Sequence, residues 1–179
     1  MKAEAIRFLS TVGIFSLLDS SEIPGVLARL ATKDLAEGDL LFREGDEGNE
    51  LFIVRTGGVR VSLKLPDGSE HEIARMGPGD FFGEMSIFDS APRSASCRAC
   101  SPTSLYSLSK EGFSALVARK PRTALKLMYR MLNVTTQRLR DTSGFVSDMV
   151  TWGESARRRA VTDELTGVYN RRFLEDSLD

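Results

Sequence analysis

The apolar positions along this chain change rhythm twice. Residues 3 to 31 carry clusters near helical spacing, Ile6 and Leu9, then Ile14, Phe15, Leu17 and Leu18, which predict short helices. Ser20-Ser21-Glu22 predicts an N-cap before a helix from Ile23 to Leu30. From Leu35 to Leu108, glycines recur between short apolar or alternating runs. Leu40 to Phe42, Leu51 to Val54, Val59 to Leu65 and Glu70 to Ala74 read as strands. Pro66-Asp67-Gly68 predicts a hairpin turn. Short strands at regular spacing argue for an antiparallel sandwich or barrel. Ser109-Lys110-Glu111 then opens a helix through Val117, and Pro121 suits the first turn of the next one.

In that last helix, Leu125, Met128, Leu132, Thr135 and Leu139 recur in steps of three and four, and Val146 and Met149 resume the seam. This imperfect heptad pattern suits a parallel two-helix contact. Residues 122 to 160 would span roughly 60 Å as one helix, so the helix must protrude or pair. Thr142-Ser143-Gly144 interrupts it, since glycine costs about 1 kcal/mol relative to alanine. Phe145, Met149 and Trp152 restart an apolar stripe. One reading is an amphipathic helix folded onto its own domain. The length favours the other, a homodimeric signalling helix over residues 122–160 with a joint near Gly144.

Composition narrows the function classes. Apolar residues make up 41% and charged ones 27%, a balance able to bury a core. A net charge of -1 provides no global field for DNA or an anionic membrane, so neither is expected as a partner. No apolar run approaches bilayer length and Met1 to Ser10 lacks a signal-peptide pattern, so a cytoplasmic protein is expected. Cys97 and Cys100 fall in an apparent strand. Residues three apart point to opposite faces there, so they suit packing better than a metal, and no metal is expected. His71, the single histidine, sits in an alternating strand pattern that fits a surface or packing role.

The chemistry concentrates in Gly79-Asp80-Phe81-Phe82-Gly83-Glu84-Met85-Ser86-Ile87-Phe88 and, after a short gap, Pro92-Arg93-Ser94-Ala95. A helix start offers unpaired N–H groups to an anion. Gly83 lets backbone approach closely, and Arg93 offers a fork of donors that fits two phosphate oxygens. Glu84 beside a phosphate makes sense only as an acceptor for a neighbouring hydroxyl, such as a ribose 2′-OH.

This segment closely resembles the phosphate-binding cassette of cyclic-nucleotide-binding domains of the catabolite-activator type. The resemblance runs back through Glu37-Gly38-Asp39 and Arg43 to Val54 and covers roughly residues 5 to 140. It implies an α+β fold: an antiparallel β-roll of jelly-roll type, with N-terminal helices and a long C-terminal dimeric helix. It also implies that Glu84 accepts from the ribose 2′-OH, Arg93 pairs with exocyclic phosphate oxygens and Ser94 donates to the phosphate. Backbone N–H groups at Gly83, Met85 and Ser86 would complete the cradle. Val61, Leu63 and Ile73 are expected walls for sugar and base, and Arg138 and Leu139 expected base caps, with Thr135 and Thr142 one turn to either side. Ser94 after the arginine favours cAMP over cGMP as allosteric ligand. Two departures stand out. Asn49 replaces the Asp that braces the arginine in kinase-type members, leaving Arg93 less firmly held or held by Glu50. Ser86 replaces a common Ala, with little expected effect on packing.

Thr162-Asp163-Glu164-Leu165-Thr166-Gly167-Val168-Tyr169-Asn170-Arg171-Arg172-Phe173-Leu174 resembles the entry of GGDEF domains, which join two GTP molecules into cyclic di-GMP. Asp163 and Thr166 can cap this turn. No Gly-Gly-Asp/Glu-Glu-Phe run precedes Asp179, and Gly57-Gly58 belongs to the strands. The expected organisation is a cyclic-nucleotide-binding roll at 1–120, a linker or coiled-coil helix at 121–160 and the start of a GGDEF domain at 161–179. Mg²⁺ and GTP would belong to the missing cyclase, and this chain by itself is expected not to be an enzyme. The alternatives are a catabolite-activator-like transcription regulator without its DNA-binding domain, or a degenerate dimerisation platform that binds no nucleotide.

Overall fold

Three short helical pieces open the chain: α1 (Lys2–Thr11), a 3-10 turn (Gly13–Phe15) and α2 (Ile23–Leu27). The computed structural model describes residues 2–88, 91–140 and 168. Pro24 lies in the first turn of α2, but Glu22 caps nothing with its side chain. Among the described residues eight strands follow: β1 (Ala31–Leu35), β2 (Leu40–Phe42), β3 (Glu50–Thr56), β4 (Val59–Lys64), β5 (Glu70–Met76), β6 (Phe81–Phe82), β7 (Ser96–Ala99) and β8 (Thr103–Ser109). A single turn, α3 (Met85–Phe88), separates β6 from β7. The Ser109 hydroxyl accepts from the Gly112 N–H at 3.1 Å and so caps α4 (Lys110–Arg119). The chain divides into two compact units, Met1–Asn133 and Val134–Asp179. Residues 121–133 of the first unit are helical and form α5; residues 134–140 of the second are helical as well.

All strand pairs are antiparallel and make two four-stranded sheets, ordered β1-β8-β3-β6 and β2-β7-β4-β5. This corrects the expected β-roll of jelly-roll type. Each sheet is open, with edges at β1 and β6 in one and at β2 and β5 in the other, and among the described residues no ladder closes either sheet or joins the two. The physical reason lies in the edge strands. β2 and β6 hold only three and two residues, too few to pair on a second side and close a barrel.

The sheets meet through their side chains. Phe52 and Val54 from β3, Phe82 from β6 and Leu105 from β8 pack with Val59 and Val61 from β4 and Cys97 from β7. Strand alternation sends the other residues of β3, Leu51 and Ile53, to the opposite face, where they too are buried. On that side the Phe8 ring of α1 stands 6.1 Å from Tyr106 of β8.

Within α5, Thr123, Ala124, Leu127 and Met131 are buried, while the seam residues Leu125, Met128 and Leu132 are exposed. Glu22 anchors this helix to the N-terminal segment. Its carboxylate accepts from Thr123 Oγ1 and Lys126 Nζ, each at 2.6 Å, and from the Asp19 N–H at 2.9 Å. The Lys126 ammonium, then the Thr123 hydroxyl and the Asp19 amide, hold the Glu22 carboxyl down at about 2. The joint near Gly144, the restart at Trp152 and all but Val168 of the GGDEF-like stretch lie outside the described residues.

Candidate functional site

Seven polar side chains are buried among the described residues, and three of them, Glu84, Ser86 and Arg93, come from ten consecutive positions. A buried guanidinium needs acceptors, and Arg93 obtains them from main chain. Its Nη1 donates to the carbonyl oxygens of Glu50 at 2.9 Å and Gly83 at 3.2 Å, and to the Ser86 hydroxyl at 3.2 Å. Burial pushes the guanidinium pKa down, opposed in part by the nearby carboxylates of Glu50 and Asp46. Among the described residues, Nε is buried with no hydrogen-bond partner. An unpaired buried donor is costly unless a further acceptor completes it.

The loop between β2 and β3 fixes where this side chain stands. Arg93 and the loop exchange two main-chain bonds, Gly45 N–H to Arg93 C=O and Arg93 N–H to Asp46 C=O, both at 2.8 Å. The guanidinium carbon lies 4.2 Å above the Phe42 ring and 5.5 Å from that of Phe52. Phe42, Phe52 and Phe82 pack with centroid separations of 5.5 to 6.3 Å, so the cation rests on an aromatic floor.

Two glycines make room. Gly83 has φ +75°, and a Cβ there would lie 2.6 Å from Arg93 Nη1. Gly48 crosses the other side, where a Cβ would meet Arg93 Nε and Ser86 Cβ at 2.7 Å. No side chain larger than hydrogen fits at either point without displacing the arginine.

The expected residues fall into groups. Gly83, Ser86 and Arg93 meet at one spot, and Glu84 is buried next to Gly83 in sequence; Met85 and Ser94 are adjacent in sequence and exposed. Val61 and Leu63 contribute to the cluster between the sheets. Ile73 does not join them. It sits at the irregularity in the β4–β5 pairing and is 50% exposed. Arg138 and Leu139 belong to the second unit, where Leu139 is exposed. The brace expected from Glu50 comes from its carbonyl, not its carboxylate. The hydroxyl of Ser86 accepts from Arg93 Nη1, a contact that the expectation of little change in packing did not address. Sequence reasoning missed Phe42, Phe52 and Gly48. The glycine-punctuated loop from Gly45 to Gly48 was the available signal for the last of these.

Residues 32–120 match the family model described as the cyclic nucleotide-binding domain. The chain is 32% identical over 144 residues to a CRP-like cAMP-activated global transcriptional regulator of Mycobacterium tuberculosis, an alignment covering 80% of this chain and 62% of that regulator. It is therefore similar to somewhat less than two thirds of that protein. Its fold is like the N-terminal domain of a transcriptional regulator from Streptomyces coelicolor A3(2), with TM-score 0.65, 32% identity and coverage of 75% of this chain and 94% of that one. A cyclic nucleotide-binding domain from Methylobacillus flagellatus matches with TM-score 0.73 and 29% identity, over 82% and 83% of the two chains. The likeness is to regulatory binding modules, and the domain is one of these and not an enzyme. Among the described residues no helix is long and apolar enough to cross a membrane. Through residues 32–120, this chain belongs to the cyclic nucleotide-binding domain family.

Proposed function

We propose that this chain is a sensor for a cyclic mononucleotide, cAMP in preference to cGMP. The observation that carries the reading is the buried Arg93 guanidinium. It is held on one nitrogen, lies over Phe42 and leaves Nε without an acceptor among the described residues. A ring phosphodiester brings a single charge and two exocyclic oxygens, which suit such a donor. Glu84, buried close by in sequence, accepts from the ribose 2′-OH, and Ser94 donates to the phosphate. The printed name of the mycobacterial relative, a cAMP-activated regulator, supports cAMP.

The test is calorimetry of the purified chain with cAMP and cGMP, repeated on Arg93→Ala. The expected result is binding with cAMP tighter, and loss of at least about a hundredfold in affinity in the variant, since truncation removes a bidentate charged contact. A wild-type chain silent toward both nucleotides overturns the reading. Binding unchanged in Arg93→Ala overturns the site.

Two readings of the output each rest on a specific observation. The likeness to the sensing part of transcription regulators favours a regulator whose DNA-binding portion is a separate segment. Residues 162–174 favour control of a GGDEF diguanylate cyclase, which would bring its own GTP and Mg²⁺. In both, the exposed seam of Leu125, Met128 and Leu132 pairs two chains, and ligand acts by favouring one arrangement of the paired helices. Assaying the full-length protein for cyclic di-GMP synthesis from GTP, and for cAMP-dependent retention of duplex DNA, separates the two.

A further inference from the structure

Leu40, Arg98, Arg60 and Arg75 stand in one row across the sheet β2-β7-β4-β5. The register pairs Leu40 with Arg98, Arg98 with Arg60 and Arg60 with Arg75, so the four share one face. Val59 and Val61 pack between the sheets, and strand alternation therefore puts Arg60 and its row on the outer face. Like charges directly opposite each other destabilise a sheet, and two such pairs meet at Arg60. One carboxylate in reach answers them. Ile73 bulges out of the β4–β5 register and so brings Glu72 to the outer face, opposite Ser62. There it accepts from Arg75 Nε at 3.2 Å and Nη2 at 3.1 Å. Arg98 Nη1 donates to the Gly38 carbonyl at 2.7 Å. The Arg60 guanidinium has no hydrogen bond or ion pair among the described residues.

We propose that this row docks an acidic helix of a partner protein, with one apolar residue and then three carboxylates along a single stripe. Guanidinium forks fit carboxylates, and the spacing selects the helix. Neighbouring strands lie about 4.8 Å apart, so the three arginines span roughly 10 Å. Helix positions three and four apart place their Cβ atoms about 5–6 Å from each other, which matches that span. An extended acidic segment shows a side chain on one face only about every 6.7 Å and overshoots the row. A nucleic-acid backbone would spread its charge over the face and meet Glu72 and also Glu70, which accepts there from Ser62. A helix keeps its carboxylates to one line, and Leu40 at the end of the row receives the apolar residue. None of these residues belongs to the Arg93 site, so the inference stands apart from the cyclic-nucleotide reading.

The probe is a fluorescent helix-favouring peptide with a leucine and, four, seven and eleven positions later, glutamates. Its control has the same composition with the glutamates on the opposite face. Anisotropy titrations at low salt are run on wild type, Arg60→Gln and Arg60→Glu, with duplex DNA as a second titrant. The striped peptide is expected to bind wild type at least about threefold more tightly than the control. Arg60→Gln is expected to cost about threefold and Arg60→Glu at least about tenfold, through loss and then reversal of one charge. Both variants are expected to melt at or above the wild-type temperature, because each removes two like-charge pairs; the loss of binding is then not a loss of folding. Equal binding of the control, unchanged binding in Arg60→Glu, silence toward the striped peptide, or tighter retention of DNA than of the peptide overturns the proposal.

Discussion

Arg93 lies with its guanidinium carbon 4.2 Å above the ring of Phe42, a residue fifty-one positions earlier in the chain. The pair ties the guanidinium to the cluster that joins the two sheets, because Phe42 packs against Phe52 and Phe82. Phe42→Leu keeps an apolar group there but removes the π face, a change worth about 0.5–2 kcal/mol for a desolvated cation. Affinity for cAMP is expected to drop about three- to tenfold in calorimetry, with a smaller loss of melting temperature than Phe42→Ala gives.

Gly48 is a tight point beside both the arginine and Ser86. A methyl at this position must displace Arg93 Nε and Ser86, so Gly48→Ala is an overpacking change costing about 1–3 kcal/mol. Ligand affinity falls at least about tenfold, and denaturant titration shows a lower midpoint. An alanine variant that binds as wild type contradicts the assigned geometry.

Glu22 gives the domain an acid-sensitive tie. Its carboxyl is depressed to about 2 from an ordinary value of 4.5. A depressed carboxyl contributes stability that is full above its unfolded value and lost as pH falls through the folded one. Unfolding free energy should therefore decline between about pH 4.5 and pH 2. Glu22→Gln leaves Lys126 with only the Asp19 carboxylate, at 3.1 Å. That variant should lose about 1–3 kcal/mol at neutral pH and show a shallower acid slope in urea titrations across that window.

Cys97 is 2% exposed, and burial raises its thiol to about 12. The thiolate is the reactive form. Native protein at pH 8 is expected to leave Cys97 unmodified by iodoacetamide, while denatured protein alkylates it, as peptide mass mapping would read out.

Leu125 is 67% and Leu132 is 64% exposed on α5. Lysines at both places put like charges into the proposed two-helix seam. Sedimentation equilibrium is expected to show a dimer for wild type and a monomer for the double variant Leu125→Lys, Leu132→Lys. The buried face through Leu127 and Met131 is untouched, so the melting curve of the domain should stay close to wild type.

Much of the scaffold was legible in the sequence because its strands alternate and its turns carry Pro, Asp or Gly. Leu40 to Phe42 matches β2 residue for residue, and the turn at Pro66-Asp67-Gly68 joins β4 to β5. β1 escaped because Ala31–Leu35 is an edge strand exposed along nearly its whole length, so no apolar alternation marks it. β6 is two residues long, below any periodic signal. Arg93, Glu84 and Gly83 stood out by their spacing. Phe42 and Gly48 did not, because their approach to Arg93 depends on main-chain bonds between distant segments, at Gly45 and Asp46. The Ser86 contact was invisible for the same reason: a hydroxyl reads as a neutral replacement until its neighbour's position is known.

The open sheets have a consequence for solution behaviour. β1 and β5 each leave one side unpaired, and such rims invite strand-by-strand stacking of separate molecules. Both rims are studded with ionic groups, Lys33 and Asp34 on β1 and Glu70, Glu72 and Arg75 on β5. Fibrous growth through these rims is thereby opposed.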